Sequence, residues 1–261
     1  METNTTRVTL LKIPLDIVKP EELPGIFSNL IKEKNFPDKK QGQNIVLLSL
    51  WDLLRARRNK DYFNYISNAA LIIPISKSLV TGVKFLTGQK VYRYMPFKFI
   101  VSLLSTFEKQ EYPLFLLGGK NKILKKAEKN IRSTFPLIKI IGRYEGRFKK
   151  QEESVIIKAI KKSSPSLLLV GKGIRGEEHW IVKNEDRLNS GLRLWCSDLF
   201  DVFAEKKHRP SDAIFDRGLE CLNYCFNNPF KLFRIIPYIY YKLLLLLHRL
   251  NRNSDNSETG K

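Results

Sequence analysis

Three glycine-bearing loops each follow a short apolar run: Gly118-Gly119-Lys120 after residues 114–117, Gly142-Arg143-Tyr144-Glu145-Gly146 after residues 138–141, and Gly171-Lys172-Gly173-Ile174-Arg175-Gly176 after residues 167–170. Glycines let backbone N–H groups come close to an anion. The last loop has the order G-x-G-x-x-G ahead of a predicted helix over residues 177–187, the setting in which a diphosphate sits at a helix N-terminus. Asp198 follows at roughly the ~20-residue distance of a ribose-binding carboxylate. The chemistry indicated is the binding of a phosphate-bearing ligand, a nucleotide of some kind. A redox dinucleotide and plain tight turns at strand ends are the alternatives that the same residues leave open.

The elements needed to position these loops are legible in the hydrophobic pattern. Short apolar runs at residues 45–50, 71–75, 114–117, 138–141, 167–170 and 192–196, most of them ended by Gly, Pro or Asp, predict buried strands. Between them, Leu53, Leu54 and Ala56, then Tyr62, Phe63 and Ile66, recur at helical spacing, and residues 122–133 and 152–162 are amphipathic. Alternating strands and helices predict an α/β fold, a Rossmann-like parallel sheet with helices on both faces. In such a sheet all three glycine loops leave the same carboxyl edge, where ligands of open α/β folds bind. The texture changes near Gly218, which divides the chain into an α/β domain over residues 1–217, a basic and apolar helical appendage over 218–250 and a polar, disordered tail over 251–261.

With 261 residues and 43% hydrophobic content the chain has enough apolar material for a folded core. Lys and Arg number 46 against 26 for Asp and Glu, a formal charge of +20, so its partners are expected to be anionic. Nucleic acid is disfavoured, because the aromatics lie within apolar runs and no RRM, KH or zinc-finger spacing occurs. Cys196, Cys221 and Cys225 make no disulfide framework. The Cys221 and Cys225 pair at i, i+4 has no close histidine, so core packing is expected there and no metal site. The opening residues lack a secretory apolar stretch, which predicts a protein that stays in the cytoplasm. Residues 235–250 are strongly apolar but carry Lys242 and Arg249, and they fall short of the ~20 residues of a spanning helix. Between residues 229 and 252 stand Lys231, Arg234, Lys242, Arg249 and Arg252 and no carboxylate, which predicts docking on an anionic membrane surface; packing on its own domain or on a partner is the alternative.

The order of these pieces resembles the WecG/TagA/CpsF glycosyltransferases over residues 45–234. The resemblance rests on Asn68-Ala69-Ala70-Leu71-Ile72-Ile73-Pro74, Leu114-Phe115-Leu116-Leu117-Gly118-Gly119, Gly146-x-Phe148 with Glu152-Glu153, and Val170-Gly171-Lys172-Gly173 leading to Glu178-His179-Trp180-Ile181. It continues through Phe200-Asp201, His208-Arg209-Pro210, Gly218-Leu219-Glu220 and Asn228-Pro229-Phe230-Lys231-Leu232-Phe233-Arg234. It implies transfer of a sugar, of the N-acetylmannosamine type or another hexose, from a UDP-sugar to a polyprenyl-diphosphate-linked glycan in cell-surface polysaccharide synthesis. No cofactor is implied, and self-association stays open. It also implies site roles. Gly118, Gly119, Gly171 and Gly173 would present backbone donors to the diphosphate, Tyr144 or Phe148 would stack on the base, and Asp201 would accept from the base N–H. Arg93, Arg209 and Arg234 would neutralise the leaving diphosphate. Where the family usually has Pro-Asp-Gly, its Asp acting as general base, this chain has Pro74-Ile75-Ser76, and the family's Thr and Asn fall on Leu47 and Ser49. Ile75 cannot take a proton. Glu177 and Glu178 are therefore the nearest motif-linked candidates for that role, the leaving phosphate itself and a member without catalysis being the alternatives.

Overall fold

The computed structural model describes residues 5–33, 43–188, 190–218 and 235–258. The chain opens with an antiparallel hairpin, β1 (Thr6–Leu10) and β2 (Ile13–Ile17), in which Leu10 pairs with Ile13. The two-residue turn puts Leu11 and Lys12 at φ 50° and 74°. Such turns normally announce themselves with Asn-Gly, and here an ordinary Leu-Lys pair adopts the conformation, so the sequence carries no hairpin signal. The helix α1 (Leu23–Glu33) follows.

The main sheet has six strands: β3 (Gln43–Leu48), β4 (Leu71–Pro74), β5 (Leu114–Leu117), β6 (Ile140–Tyr144), β7 (Leu167–Gly171) and β8 (Leu192–Ser197). They lie in the order β4-β3-β8-β7-β5-β6, every pairing parallel, as the alternating pattern predicts. Because side chains alternate across a strand, Leu168 and Val170 enter the core on one face while Leu167 and Leu169 enter the core on the other. The first face is covered by α2 (Leu50–Ala56), α3 (Lys60–Ser67), α4 (Lys77–Thr87), α7 (Glu153–Ser163) and the hairpin. The second is covered by α1, α5 (Pro96–Lys109), α6 (Asn121–Thr134) and α9 (Leu199–Phe203). Buried Asp16 of β2 accepts from Arg7 Nε at 2.7 Å and from the Ile72 backbone N–H at 2.7 Å, which holds the hairpin on β4.

Two helices differ from expectation. The stretch after β3 is two helices, because Asn59 caps the N-terminus of α3 by accepting from the Tyr62 backbone N–H at 2.8 Å. The helix expected over residues 177–187 is shorter. Gly176 and Glu177 have φ 85° and 51°, left-handed values that no α-helix can contain, so α8 (His179–Asn184) starts after them and a 3₁₀ turn over Glu185–Arg187 follows.

The α/β body ends with α10 (Asp212–Arg217), stopped by Gly218 at φ 71°. The next described element is α11 (Ile236–Glu258). It runs on through residues expected to be a tail, since neither Gly nor Pro interrupts it before Gly260. Cys221, Cys225 and Arg234 lie outside the described residues. Among the described residues no helix is long and apolar enough to cross a membrane. One side of α11 packs on the body: buried Tyr241 donates to the Ser78 carbonyl at 3.0 Å, and a β-carbon at Gly82 of α4 would fall on its hydroxyl. The other side exposes Ile236, Ile239, Leu243, Leu246, Leu247 and Leu250, an apolar stripe at helical spacing.

Candidate functional site

The three glycine segments do meet at the ends of β5, β6 and β7, although Gly142-Arg143-Tyr144, expected to be loop, is the ladder-paired end of β6, and they satisfy one another. The N–H of Gly118 donates to the Tyr144 carbonyl at 3.0 Å, that of Gly119 to Lys172 at 2.6 Å, and that of Gly146 to Gly119 at 2.9 Å. A β-carbon at Gly118, whose φ is 136°, would lie 2.6–2.8 Å from the backbone of Gly171, and one at Gly171 would strike the Phe200 ring. These glycines are small because two backbones and a ring pack against them. The N-terminus of α6, which follows the Gly118-Gly119 loop, is met by the chain's own Glu145, whose Oε2 accepts from Asn121 N–H at 3.2 Å. Gly173 has φ 99°, so a side chain there is strained whatever binds. Tyr144 and Phe148 turn edge to face on each other, and Phe148 does the same on Trp180. Asp201 is buried and pairs with Lys172 and, at 3.6 Å, with Lys206, fastening the third loop to α9. Tyr144 also lines a small hollow of about 350 Å³ with Arg143 and Glu145.

The principal cavity, about 440 Å³, lies at the other half of the carboxyl edge, beyond β4, β3 and β8. Leu47 and Ile75 line its floor at the ends of β3 and β4, and Cys196, Ser197 and Asp198 line it at the end of β8. Trp51 at the start of α2 is half exposed at its edge. Four cations line it: Lys77, Arg93, Lys207 and Arg209. Arg93 donates from Nε to the Ile75 carbonyl at 2.8 Å and from a terminal nitrogen to the Phe215 carbonyl at 2.5 Å, with its guanidinium 3.8 Å from the Phe215 ring centre. The Arg209 guanidinium lies 5.3 Å from the Phe97 ring centre. Asp198, the only carboxylate among the described lining residues, is paired with Lys207. A basic, partly apolar hollow of this size outside parallel strand ends is suited to an anionic small molecule.

A sequence model of the Glycosyl transferase WecG/TagA/CpsF family matches residues 8–256. The chain belongs to that family. It is similar to the N-acetylglucosaminyldiphosphoundecaprenol N-acetyl-beta-D-mannosaminyltransferase of Bacillus subtilis strain 168, 24% identical over 237 residues that cover 89% of this chain and 92% of the relative. The enzyme of the same name from Staphylococcus aureus strain NCTC 8325 is 23% identical over 210 residues, 79% of each chain.

In this WecG/TagA/CpsF glycosyltransferase chain, the residues singled out from the sequence therefore separate into two places. Arg93 and Arg209 come together at the principal cavity, which Ile75 also lines, whereas Gly118, Gly119, Tyr144, Phe148, Gly171, Gly173 and Asp201 brace the opposite half of the edge. Trp51 and Phe97 escaped sequence reasoning, since nothing in the chain separates a cavity-facing aromatic from a core one. Asp198 drew notice only through its spacing from the third loop.

The two glutamates proposed for proton transfer stand elsewhere. Glu177 occupies the exposed left-handed turn, and Glu178 is buried, its carboxylate on the Tyr62 hydroxyl; neither lines the cavity. Tyr62 Oη is also 3.2 Å from Asp52 Oδ1. Tyrosine has one hydroxyl hydrogen and cannot donate to both acids, so one carboxyl must bring its own. Burial, reinforced by the charge of Asp52, pushes Glu178 from its ordinary 4.5 up to about 8, and burial also raises Asp52. Glu178 is therefore the protonated partner at neutral pH and serves the packing of α3 on α8. Its elevated pKa has a sign: between about 4.5 and 8 the folded state holds a proton that the unfolded state releases, so stability falls as pH rises through that window. Glu178→Gln is expected to remove a few kcal/mol of this pH dependence and to raise the urea midpoint above wild type at pH 8.5, measured against an unchanged comparison near pH 4.

Proposed function

We propose that this protein transfers a sugar, of the N-acetylmannosamine type or another hexose, from a UDP-sugar to a polyprenyl-diphosphate-linked acceptor, and that it does so in the cavity beyond β3, β4 and β8. The observation that carries the reading is the meeting, among the described residues, of four cations, the aromatic side chains of Trp51, Phe97, Phe215 and Tyr238, and the carboxylate of Asp198 in a single hollow at the carboxyl edge of a family fold. The acceptor hydroxyl attacks the anomeric carbon, the bond from that carbon to the diphosphate oxygen breaks, and UDP departs with the electron pair. Arg209 and Lys77 neutralise the charge that builds on the diphosphate, and Arg93 shapes that wall by clamping the end of β4 to α10. Trp51 offers a face to the nucleobase or the sugar. Since Ile75 cannot receive the hydroxyl proton, Asp198, held at the cavity by its ion pair with Lys207, takes it.

The acceptor is lipid-linked, and α11 supports work at the inner face of the plasma membrane. Its outward stripe, flanked by Lys242 and Arg249, lies on an anionic leaflet, each inserted leucine contributing about 1.5–3 kcal/mol when fully buried. Replacing both Leu243 and Leu247 with Asp is expected to abolish the salt-resistant fraction that sediments with anionic vesicles while leaving the body folded. Sedimentation equal to wild type would assign the stripe to a protein interface.

Ile75 favours a second reading, a member that binds donor and lipid without transferring. Mass spectrometry of undecaprenyl-diphosphate-linked N-acetylglucosamine incubated with the protein and a panel of UDP-sugars separates the two. Addition of one sugar supports the transferase, and UDP binding without any addition across the panel supports the accessory protein.

A further inference from the structure

A second groove, about 370 Å³, runs between α4 and α11. Thr81 and Phe85 form one wall and Tyr241, Leu245 and Leu246 the other, with Lys242 at the side. Two residues, Ser78 and Tyr238, line both this groove and the cationic cavity, so the two hollows adjoin at the start of α4. Gly82 makes the arrangement possible, because any larger residue there would push Tyr241 and with it α11 away from α4.

An apolar channel that begins beside Lys77, Arg93 and Arg209 and runs along a helix whose outer face is itself apolar has a definite complement. That complement is a molecule with a charged head and a hydrocarbon chain attached to it. A diphosphate at the junction meets the cations, and the chain leaves the water where the groove begins. From this continuity we infer that the groove between α4 and α11 binds the first isoprene units of the polyprenyl acceptor, next to its diphosphate. The inference rests on the proposed lipid-linked acceptor and adds where its chain lies. The lipid would then reach the cavity alongside α11, held by the protein over the stretch between the bilayer and the reacting sugar. Apolar contact on both sides of a chain that would otherwise face water supplies affinity in proportion to the area covered.

Calorimetric titration of the full chain with inorganic diphosphate, farnesyl diphosphate and straight-chain dodecyl diphosphate tests this, with UDP as the control for the cavity. Farnesyl diphosphate is expected to bind at least tenfold more tightly than inorganic diphosphate and more tightly than the dodecyl compound. Thr81→Trp should remove that gain by filling the groove. Thr81 is exposed and its hydroxyl bonds only carbonyls of its own helix, at Lys77 and Ser78, so the helix does not depend on it. Leu246→Glu, at a half-exposed position on the opposite wall, is the second variant and should act in the same direction. Farnesyl diphosphate binding no tighter than inorganic diphosphate would overturn the inference, as would dodecyl diphosphate binding equally well, or the farnesyl gain surviving in both variants. A farnesyl gain in a protein that does not bind UDP would leave the groove standing and remove the donor from the proposed function.

Discussion

Asp198→Asn is expected to slow sugar transfer by about 10²–10⁴-fold, the range that removal of a general base commonly costs. The substitution keeps the shape of the side chain and removes its ability to hold a proton, so UDP affinity should change little. The reason to single out Asp198 is positional. It follows β8 directly, it is the carboxylate among the residues lining the cavity, and it faces the hollow that also contains Ile75. His208 lines the same cavity at an exposed position and, among the described residues, is a second side chain there able to accept a proton. His208→Gln therefore belongs beside Asp198→Asn in the same transfer assay. A large loss at Asp198 with a small one at His208 supports the assignment; the reverse moves the role to His208. Unchanged rates in both would leave the departing diphosphate as the proton acceptor.

The largest effect on folding is expected at Arg193, whose side chain on β8 is completely buried. Its Nε donates to Asn44 Oδ1 at 2.8 Å, one terminal nitrogen to the Glu185 carbonyl at 3.0 Å, and the other to the Glu185 carboxylate at 2.6 Å. Asn44 in turn donates to that carboxylate at 2.7 Å, closing a ring that ties β3 and β8 to the turn after α8. Arg193→Met would leave the carboxylate and the Asn44 oxygen short of donors inside the protein. Because the Glu185 carboxylate is one-third exposed while the Asn44 oxygen is buried, the loss is expected to cost about 1–3 kcal/mol, the penalty of leaving a buried acceptor unsatisfied. Urea unfolding should show the midpoint displaced by that amount with its slope unchanged. A shift below about 1 kcal/mol would mean that water reaches Glu185 and replaces the guanidinium.

How much of this was legible in the sequence depends on which forces set each feature. The inner strands of the central sheet were, because burial on both faces writes them as continuous apolar runs, and the bounds of β5, Leu114–Leu117, are those the pattern gives; the edge strand β6, expected over residues 138–141, runs from Ile140 to Tyr144, because an edge strand that is only half-buried carries no such run. The hairpin was not, since the left-handed Leu11-Lys12 turn has none of the usual turn residues and its two strands are held by their packing on the core and by Asp16. The glycine loops show why the site was harder. A glycine that admits a phosphate and a glycine that admits a neighbouring backbone are the same letter, and at Gly118 the neighbour is Gly171. Arg93 and Arg209 were found because the family resemblance marks them, while the gathering of Trp51, Asp198 and Lys207 around them depends on strand order, which places β8 beside β3 although 143 residues separate Leu48 from Leu192 in the chain. The apolar run of α11 was plain, but which side of it packs was decided by the space at Gly82.

The placement of the donor is tested most directly by calorimetric titration of UDP into the wild type, Arg209→Ala and Tyr144→Ala. Arg209 lines the cationic cavity and Tyr144 the small hollow beside the glycine loops, on opposite halves of the sheet edge. Losing a charged hydrogen bond to phosphate costs about 1.5–3 kcal/mol, so Arg209→Ala is expected to weaken UDP binding by roughly tenfold to a hundredfold, with Tyr144→Ala close to wild type. Weakened binding in Tyr144→Ala with Arg209→Ala unaffected would contradict this placement and return the nucleotide to the glycine loops.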